Sequence, residues 1–239
     1  MKWTAPPLWQ DGECWIIGGG PSIAKQFGIP KDVVKAVANR TQLPSAYSDF
    51  LAPIHGKHVI GINNVYQIGT WIDVLFFGDC SWFMVHQKKL SEWPGLKVTC
   101  CNRFERKPVD LSESIKYLGR DKGHKKGISR RTSFVSWNDN SGAASISMAA
   151  HFGVKRIILL GFDMRIEDIK SGLTHWHGSH GNPRDIKNKR DRIKRTYNRH
   201  LMGFGPIAHD AKKRGIEIIN ASPESSITDF PKVKLKELL

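Results

Sequence analysis

Short, continuously apolar runs alternate along this chain with longer segments whose apolar residues recur at helical spacing. The apolar runs predict strands at Cys14 to Ile17, His58 to Ile62, Val74 to Phe77, Lys97 to Cys101, Arg156 to Leu160 and Ile216 to Ile219. Helical spacing predicts helices at Lys31 to Arg40, Ser81 to Leu90, Ser141 to Phe152 and Ile186 to Met202. A shorter one, Pro206 to Arg214, is stopped by Gly215. Strands this short and apolar belong to parallel sheets that helices cover on both faces. The expected class is therefore α/β, a single Rossmann-like domain with a mostly parallel sheet.

A chain of 239 residues is long enough for one such core, and no Pro/Gly/Ser-rich linker divides it. Two segments interrupt the alternation. Residues from about 103 to 140 read as an irregular basic insertion, and those from about 184 to 214 as a basic helical region. In the long basic helix Ile186, Ile193, Tyr197 and Leu201 fall on one stripe and read as core contacts. No apolar run approaches the roughly 20 residues that cross a bilayer, and the start of the chain lacks the apolar stretch of a signal peptide. The expected location is cytoplasmic. Cys14, Cys80, Cys100 and Cys101 lie in or beside predicted strands and read as small buried hydrophobes. They lack the paired spacing of a zinc site, and no metal is assigned.

Charge changes this picture. The formal net charge is +15, and it is concentrated. Between Arg103 and Arg131 ten Lys/Arg stand against four Asp/Glu, and between Arg184 and Arg199 eight stand against two. Lys187, Lys189, Arg190, Arg192, Lys194 and Arg195 outnumber any acidic neighbours. Such segments form solvated faces or an electropositive field for phosphates, of a nucleotide or of a polynucleotide.

The candidate chemistry lies at strand ends, where an open α/β sheet places its ligand crevice. After the first strand come Gly18, Gly19, Gly20, Pro21 and Ser22, a glycine turn running into a helix. Glycines allow close backbone approach, and a helix start offers free N–H groups to an anion, so this junction reads as a phosphate cradle. Asn63 and Asn64 end the second strand, with amides suited to a phosphate, base or ribose. Asp79 ends the third, where a carboxylate holds a metal, binds a ribose hydroxyl or caps the next helix. Ser141 and Gly142 open a small-residue helix that leads to a strand ending at Asp163. A loop then carries His175, His177 and His180. Their spacing is not that of a helical zinc pair, whereas a loop histidine with a pKa near 6.5 suits a general base.

Taken in order, the Gly-Gly-Gly-Pro-Ser turn, the strand-end asparagine, the Ser141 to Asp163 block, the histidine loop and Asn220-Ala-Ser-Pro-Glu-Ser resemble the bacterial sialyltransferases of glycosyltransferase family 42. The same set resembles the wider domain-of-unknown-function 115 proteins, among them motility-accessory glycosylation factors and 6-hydroxymethylpterin diphosphokinases. The resemblance implies a nucleotide-sugar as co-substrate and no further cofactor or metal. It places donor contacts at Gly18, Gly20, Pro21, Ser22, Asn63 or Asn64, Ser141 and Gly142, and the catalytic base at His175, His177 or His180. The family's phosphate-holding tyrosines have no match after Asp163, where Met164 and Arg165 stand, which leaves Arg165 or the basic helix to meet the phosphate. Sugar transfer to an acceptor hydroxyl is the expected activity, and the basic surface makes DNA or RNA a candidate acceptor. Two alternatives stay open. One is a magnesium-dependent diphosphokinase with Asp79 and Asp163 as metal carboxylates; the other is a non-catalytic nucleic-acid-binding protein on a Rossmann-like shell.

Overall fold

The computed structural model describes residues 2–106, 114–123, 126–137, 139–165, 174–178 and 186–239. Seven parallel strands form one sheet in the order β5-β4-β3-β2-β1-β8-β9. They are β1 (Glu13–Ile17), β2 (His58–Ile62), β3 (Val74–Phe77), β4 (Leu96–Thr99), β5 (Ile115–Tyr117), β8 (Arg156–Leu160) and β9 (Glu217–Asn220). A separate parallel pair joins β6 (Gly119–Lys122) to β7 (Phe134–Trp137). The chain winds outward from β1 to β5, then returns to set β8 against the free side of β1, with Ile17 level with both Gly61 and Leu160. The order of strands reverses there, and that is where such sheets open a ligand crevice.

Side-chain alternation divides the core. Cys14, Ile16, Val74, Phe76, Ile157 and Leu159 point into one apolar cluster, and Trp15, Ile17, Leu75, Phe77, Ile158 and Leu160 into the other. The first cluster is covered by α5 (Ser141–His151) and by Phe204, Ile207 and Ala211 of α7 (Phe204–Lys213). The second is covered by α1 (Ser22–Gln26), α2 (Lys31–Ala38), a 3-10 segment over Pro44–Ile54 and α3 (Cys80–Glu92). Strands buried on both faces have no room for polar alternation, which explains the continuous apolar runs. Each fully buried Ile, Leu or Phe contributes about 1.5–3 kcal/mol.

All six expected strands are present, with ends displaced by two residues or fewer, and so are the five expected helices. The stretch between Arg103 and Asn140 departs from its irregular reading, since it contains α4 (Arg103–Arg106) and the strands β5, β6 and β7. Its elements are only three or four residues long, and β6, Gly-Arg-Asp-Lys, is polar, so hydrophobic periodicity missed them. Arg120 of β6 stacks on Trp137 at 4.1 Å and donates to the carbonyls of Cys100 and Gly78, which ties this pair of strands to the end of the main sheet.

The cysteine reading needs correction. Cys80, at the start of α3, is bonded to Cys101, beyond β4, while Cys14 and Cys100 stay free and buried. Adjacent strand ends bring the two sulfurs together, which no local pattern announces. No helix among the described residues is long and apolar enough to cross a membrane. Thiol titration of the unfolded, unreduced chain should find two of the four cysteines reactive, with all four appearing after reduction. Loss of the bond in a Cys101→Ser variant should lower stability by about 3 kcal/mol in chemical denaturation.

Candidate functional site

At the switch point the glycine turn after β1 meets the end of β8. A Cβ on Gly18 would lie 2.7 Å from the Gly161 carbonyl oxygen, and one on Gly20 would lie 2.5 Å from the Asp163 carboxylate. Protein packing alone requires glycine at both positions, which also line the cavity described below. The amides are also largely used: Gly18 N–H donates to Leu160 O and Gly20 N–H to Gly161 O, each at 2.8 Å. Asp163 accepts from the Ser22 amide at 2.8 Å and from the Ser22 hydroxyl at 2.5 Å. A protein carboxylate thus already occupies the helix start where a phosphate was expected. Of residues 18 to 20, only the Gly19 amide lacks a partner among the described residues. Burial pushes the Asp163 carboxyl above its usual range, against the opposing pull of the Ser22 hydrogen bonds.

The histidine loop is pinned to the same turn. Trp176, fully buried, donates its amide to Gly19 O at 3.0 Å and its indole N–H to Gly18 O at 3.2 Å, and packs on Tyr47. That grip sets His175 directly over Gly19, with a Cβ there only 2.8 Å from the imidazole. His175 Nδ1 lies 3.0 Å from the Thr174 hydroxyl. His177 stacks on His175 but does not line the cavity described below, and His180 lies outside the described residues.

Helix α5 begins with Asn140, whose side-chain oxygen accepts from the amides of Gly142 and Ala143. Gly142 is small because Phe162 lies 2.9 Å from where its Cβ would be. On the β2 side the asparagine pair separates: Asn63 lines the cavity, while Asn64 accepts from Trp82 Nε1 at 2.6 Å and does not. Asp79 precedes α3 but makes no capping bond, and its carboxylate borders the cavity instead.

These elements enclose a cavity of about 190 Å³. Gly18, Gly19, Gly20, Asn63, Asp79, Ser141, Gly142, Asp163 and His175 line it, whereas Pro21, Ser22 and Arg165 open onto a neighbouring cavity. Tyr197 and His200 complete the wall from α6 (Ile186–Leu201). Tyr197 therefore leaves the core role that the stripe assigned to it. His200 was missed altogether, although it follows Tyr197 by three residues on the inward face of the same helix, a position where a polar residue signals a site. Of the helix's basic residues, Arg192, Lys194 and Arg195 are exposed to solvent.

Two features set this wall apart. Asn63, Asp139 and Met164 all have positive φ, at 52°, 61° and 48°, a conformation costly for residues with a side chain. In addition, Asn63 Oδ1, Asn140 Nδ2 and His200 Nδ1 are buried with no hydrogen-bond partner among the described residues. Buried polar groups are nearly always paired, so three unpaired ones around one cavity are groups that a ligand or water must satisfy. His200 Nε2 lies 2.9 Å from the Asp139 carbonyl, which fixes the proton on Nε2 and leaves Nδ1 as an acceptor. Burial pushes the His200 imidazole down to about 4, so it is uncharged at neutral pH.

An all-parallel sheet with a polar cavity at its order reversal defines a Rossmann-like domain. No protein-family model matches the chain, and no curated protein does. Among solved structures, the chain is similar to the MAf glycosyltransferase of Magnetospirillum magneticum, with a TM-score of 0.53 at 13% identity over 100% of this chain and 36% of that one. The chain thus spans about a third of the length of that protein and shares its fold. The sialyltransferase CstII of Campylobacter jejuni, in complex with a substrate analogue, gives a TM-score of 0.48 at 12% identity over 92% of this chain and 85% of that one.

Replacing Asp163 with Ala should strand the Ser22 amide and hydroxyl. Urea denaturation should register a loss of about 2–3 kcal/mol. For His200 the folded-state pKa is depressed, so between about 6.5 and about 4 the unfolded chain takes up a proton that the folded chain refuses. Stability from this group is full above that window and falls as pH is lowered through it. Asp163, with a raised pKa, works in the opposite direction, so the comparison has to be between wild type and His200→Gln, whose denaturation midpoints should converge as the pH drops from 6.5 to 4.

Proposed function

We propose that the protein is a glycosyltransferase-like enzyme that transfers a sugar from a nucleotide-activated donor to an acceptor hydroxyl. One observation carries the reading: unpaired buried donors and acceptors converge with two histidines at the sheet's order reversal. The fold shared with a glycosyltransferase supports the reading of sugar transfer without assigning it. A volume of about 190 Å³ is below the roughly 300–1,000 Å³ of a complete small-molecule site, and so accommodates one end of the donor.

In this reading Asn63 Oδ1 and Asn140 Nδ2 meet polar edges of the nucleotide, and the Gly19 amide is the donor left for an anionic oxygen. His200 is a candidate base beside His175: its tautomer is fixed and its Nδ1 has no partner among the described residues, while the Thr174 hydroxyl lies against His175 Nδ1. The acceptor oxygen bonds to the anomeric carbon as the bond from that carbon to the phosphate oxygen breaks. The nucleotide leaves with the electron pair, and the acceptor proton passes to His200 Nδ1. Burial holds that imidazole down to about 4 against the weaker pull of Asp139, so it is in its proton-accepting form at neutral pH. The diphosphokinase alternative would take Asp79 and Asp163 as its metal carboxylates, and each Asp163 oxygen already accepts one bond from Ser22.

A thermal-shift panel of CMP, UDP, GDP, ATP and their sugar conjugates, with and without magnesium, should reveal one stabilising nucleotide. A ligand at 100 times its Kd adds about 2.7 kcal/mol. With that donor, His200→Gln should reduce turnover about 10²- to 10⁴-fold while nucleotide affinity holds within a few-fold. A panel without any stabilising nucleotide, or a His200→Gln enzyme of undiminished turnover, would refute the reading.

A further inference from the structure

A second, larger cavity of about 550 Å³ lies on the far side of Asp163. Its wall is unlike that of the first. Four cationic side chains line it, Lys25 from α1, Arg165 from beyond β8, and Lys234 and Lys236 from the end of the chain, against the two carboxylates Asp163 and Glu224. Asp163 has both its oxygens engaged by Ser22. Glu224 bridges Lys25, at 2.7 Å, and Arg165, and these bonds hold its carboxyl below the usual range. Lys234 and Lys236, both from the last segment of the chain, make no ion pair among the described residues.

The floor is polar and incompletely paired. Ser22 Oγ lies 3.1 Å from Ser222 Oγ, and the Gln26 side chain donates to Ala221 O while its own Oε1 is buried without a partner among the described residues. Pro21, Pro223 and Leu235 supply an apolar side. Excess cations over a polar floor, with one apolar wall and a volume within the range of small-molecule sites, match a compact organic body that carries an oxyanion.

We infer that this cavity is a binding site for a small organic phosphate or carboxylate, gripped by Lys234 and Lys236 and seated against the Glu224 bridge. None of its cations lines the first cavity, so the site stands or falls apart from the transferase reading.

Isothermal titration with inorganic pyrophosphate and with citrate, at constant ionic strength, tests it. At least one of the two should bind at one site per chain, and the tighter of them identifies phosphate or carboxylate as the favoured group. Lys234→Glu/Lys236→Glu should weaken that binding at least about tenfold. The control Lys31→Glu/Lys35→Glu, an equal charge change on the exposed face of α2, should stay within about twofold. A milder Lys234→Gln/Lys236→Gln pair, checked by its melting temperature, separates lost binding from lost folding. Absence of saturable binding to either probe, equal weakening in both charge-reversed variants, or unchanged affinity in the Lys234/Lys236 variants would overturn the assignment.

Discussion

The carboxylate of Asp163, closed on the amide and hydroxyl of Ser22, is the contact from which the rest of the site takes its shape. It joins the end of β8 to the start of α1 across the one place where the sheet reverses its order. The approach is possible only because Gly20 has no side chain, for a Cβ there would stand 2.5 Å from the carboxylate. Gly161, at φ +65°, makes the turn that delivers Asp163. A buried carboxylate is costly unless its oxygens are paired, and here both are. The helix start is thereby neutralised by the protein itself, and recognition passes to the residues around it.

Those residues are held under strain. Three non-glycine residues at positive φ, on three different segments, converge on one cavity of modest size. Trp176 adds a second clamp by tying the His175 loop to the carbonyls of Gly18 and Gly19. Strained backbone persists where the surrounding packing over-determines it. The two clamps, with β1 and β8 at the sheet centre, provide that packing. The unpaired atoms of Asn63, Asn140 and His200 sit on this rigid frame, so a ligand that satisfies them would not have to pay for ordering the wall.

Much of this was legible in the sequence and some was not, for physical reasons that differ from element to element. Apolar runs such as Arg-Ile-Ile-Leu-Leu fixed the central strands, because a doubly covered parallel strand cannot hide its composition. Gly18 to Gly20 and Asp163, read from sequence as strand-end residues, do line one cavity at the order reversal, but their mutual contact was not legible: a glycine that admits a ligand and one that admits a neighbouring carboxylate look alike in sequence. His200 and Tyr197 were hidden by the helical stripe that marked their face as core, since a cavity wall and a core share one periodicity. The Cys80–Cys101 bond depends on two strand ends meeting in space, which no local spacing encodes.

Charge supplies the last step of the argument. A chain of formal net charge +15 has a first cavity whose described wall includes Asp79, Asp139 and Asp163 and neither lysine nor arginine. Two of these carboxylates have cations beside them, Arg120 near Asp79 and Arg199 near Asp139, and the wall also carries buried donors and acceptors with no partner among the described residues. Further cations stand around the second cavity and on the outer face of α6. Separation of this kind lets a long-range field gather anionic molecules to the surface while the interior chooses among them by shape and hydrogen bonding. Asp163 lines both cavities and, bonded to the Ser22 amide and hydroxyl, marks the boundary between them.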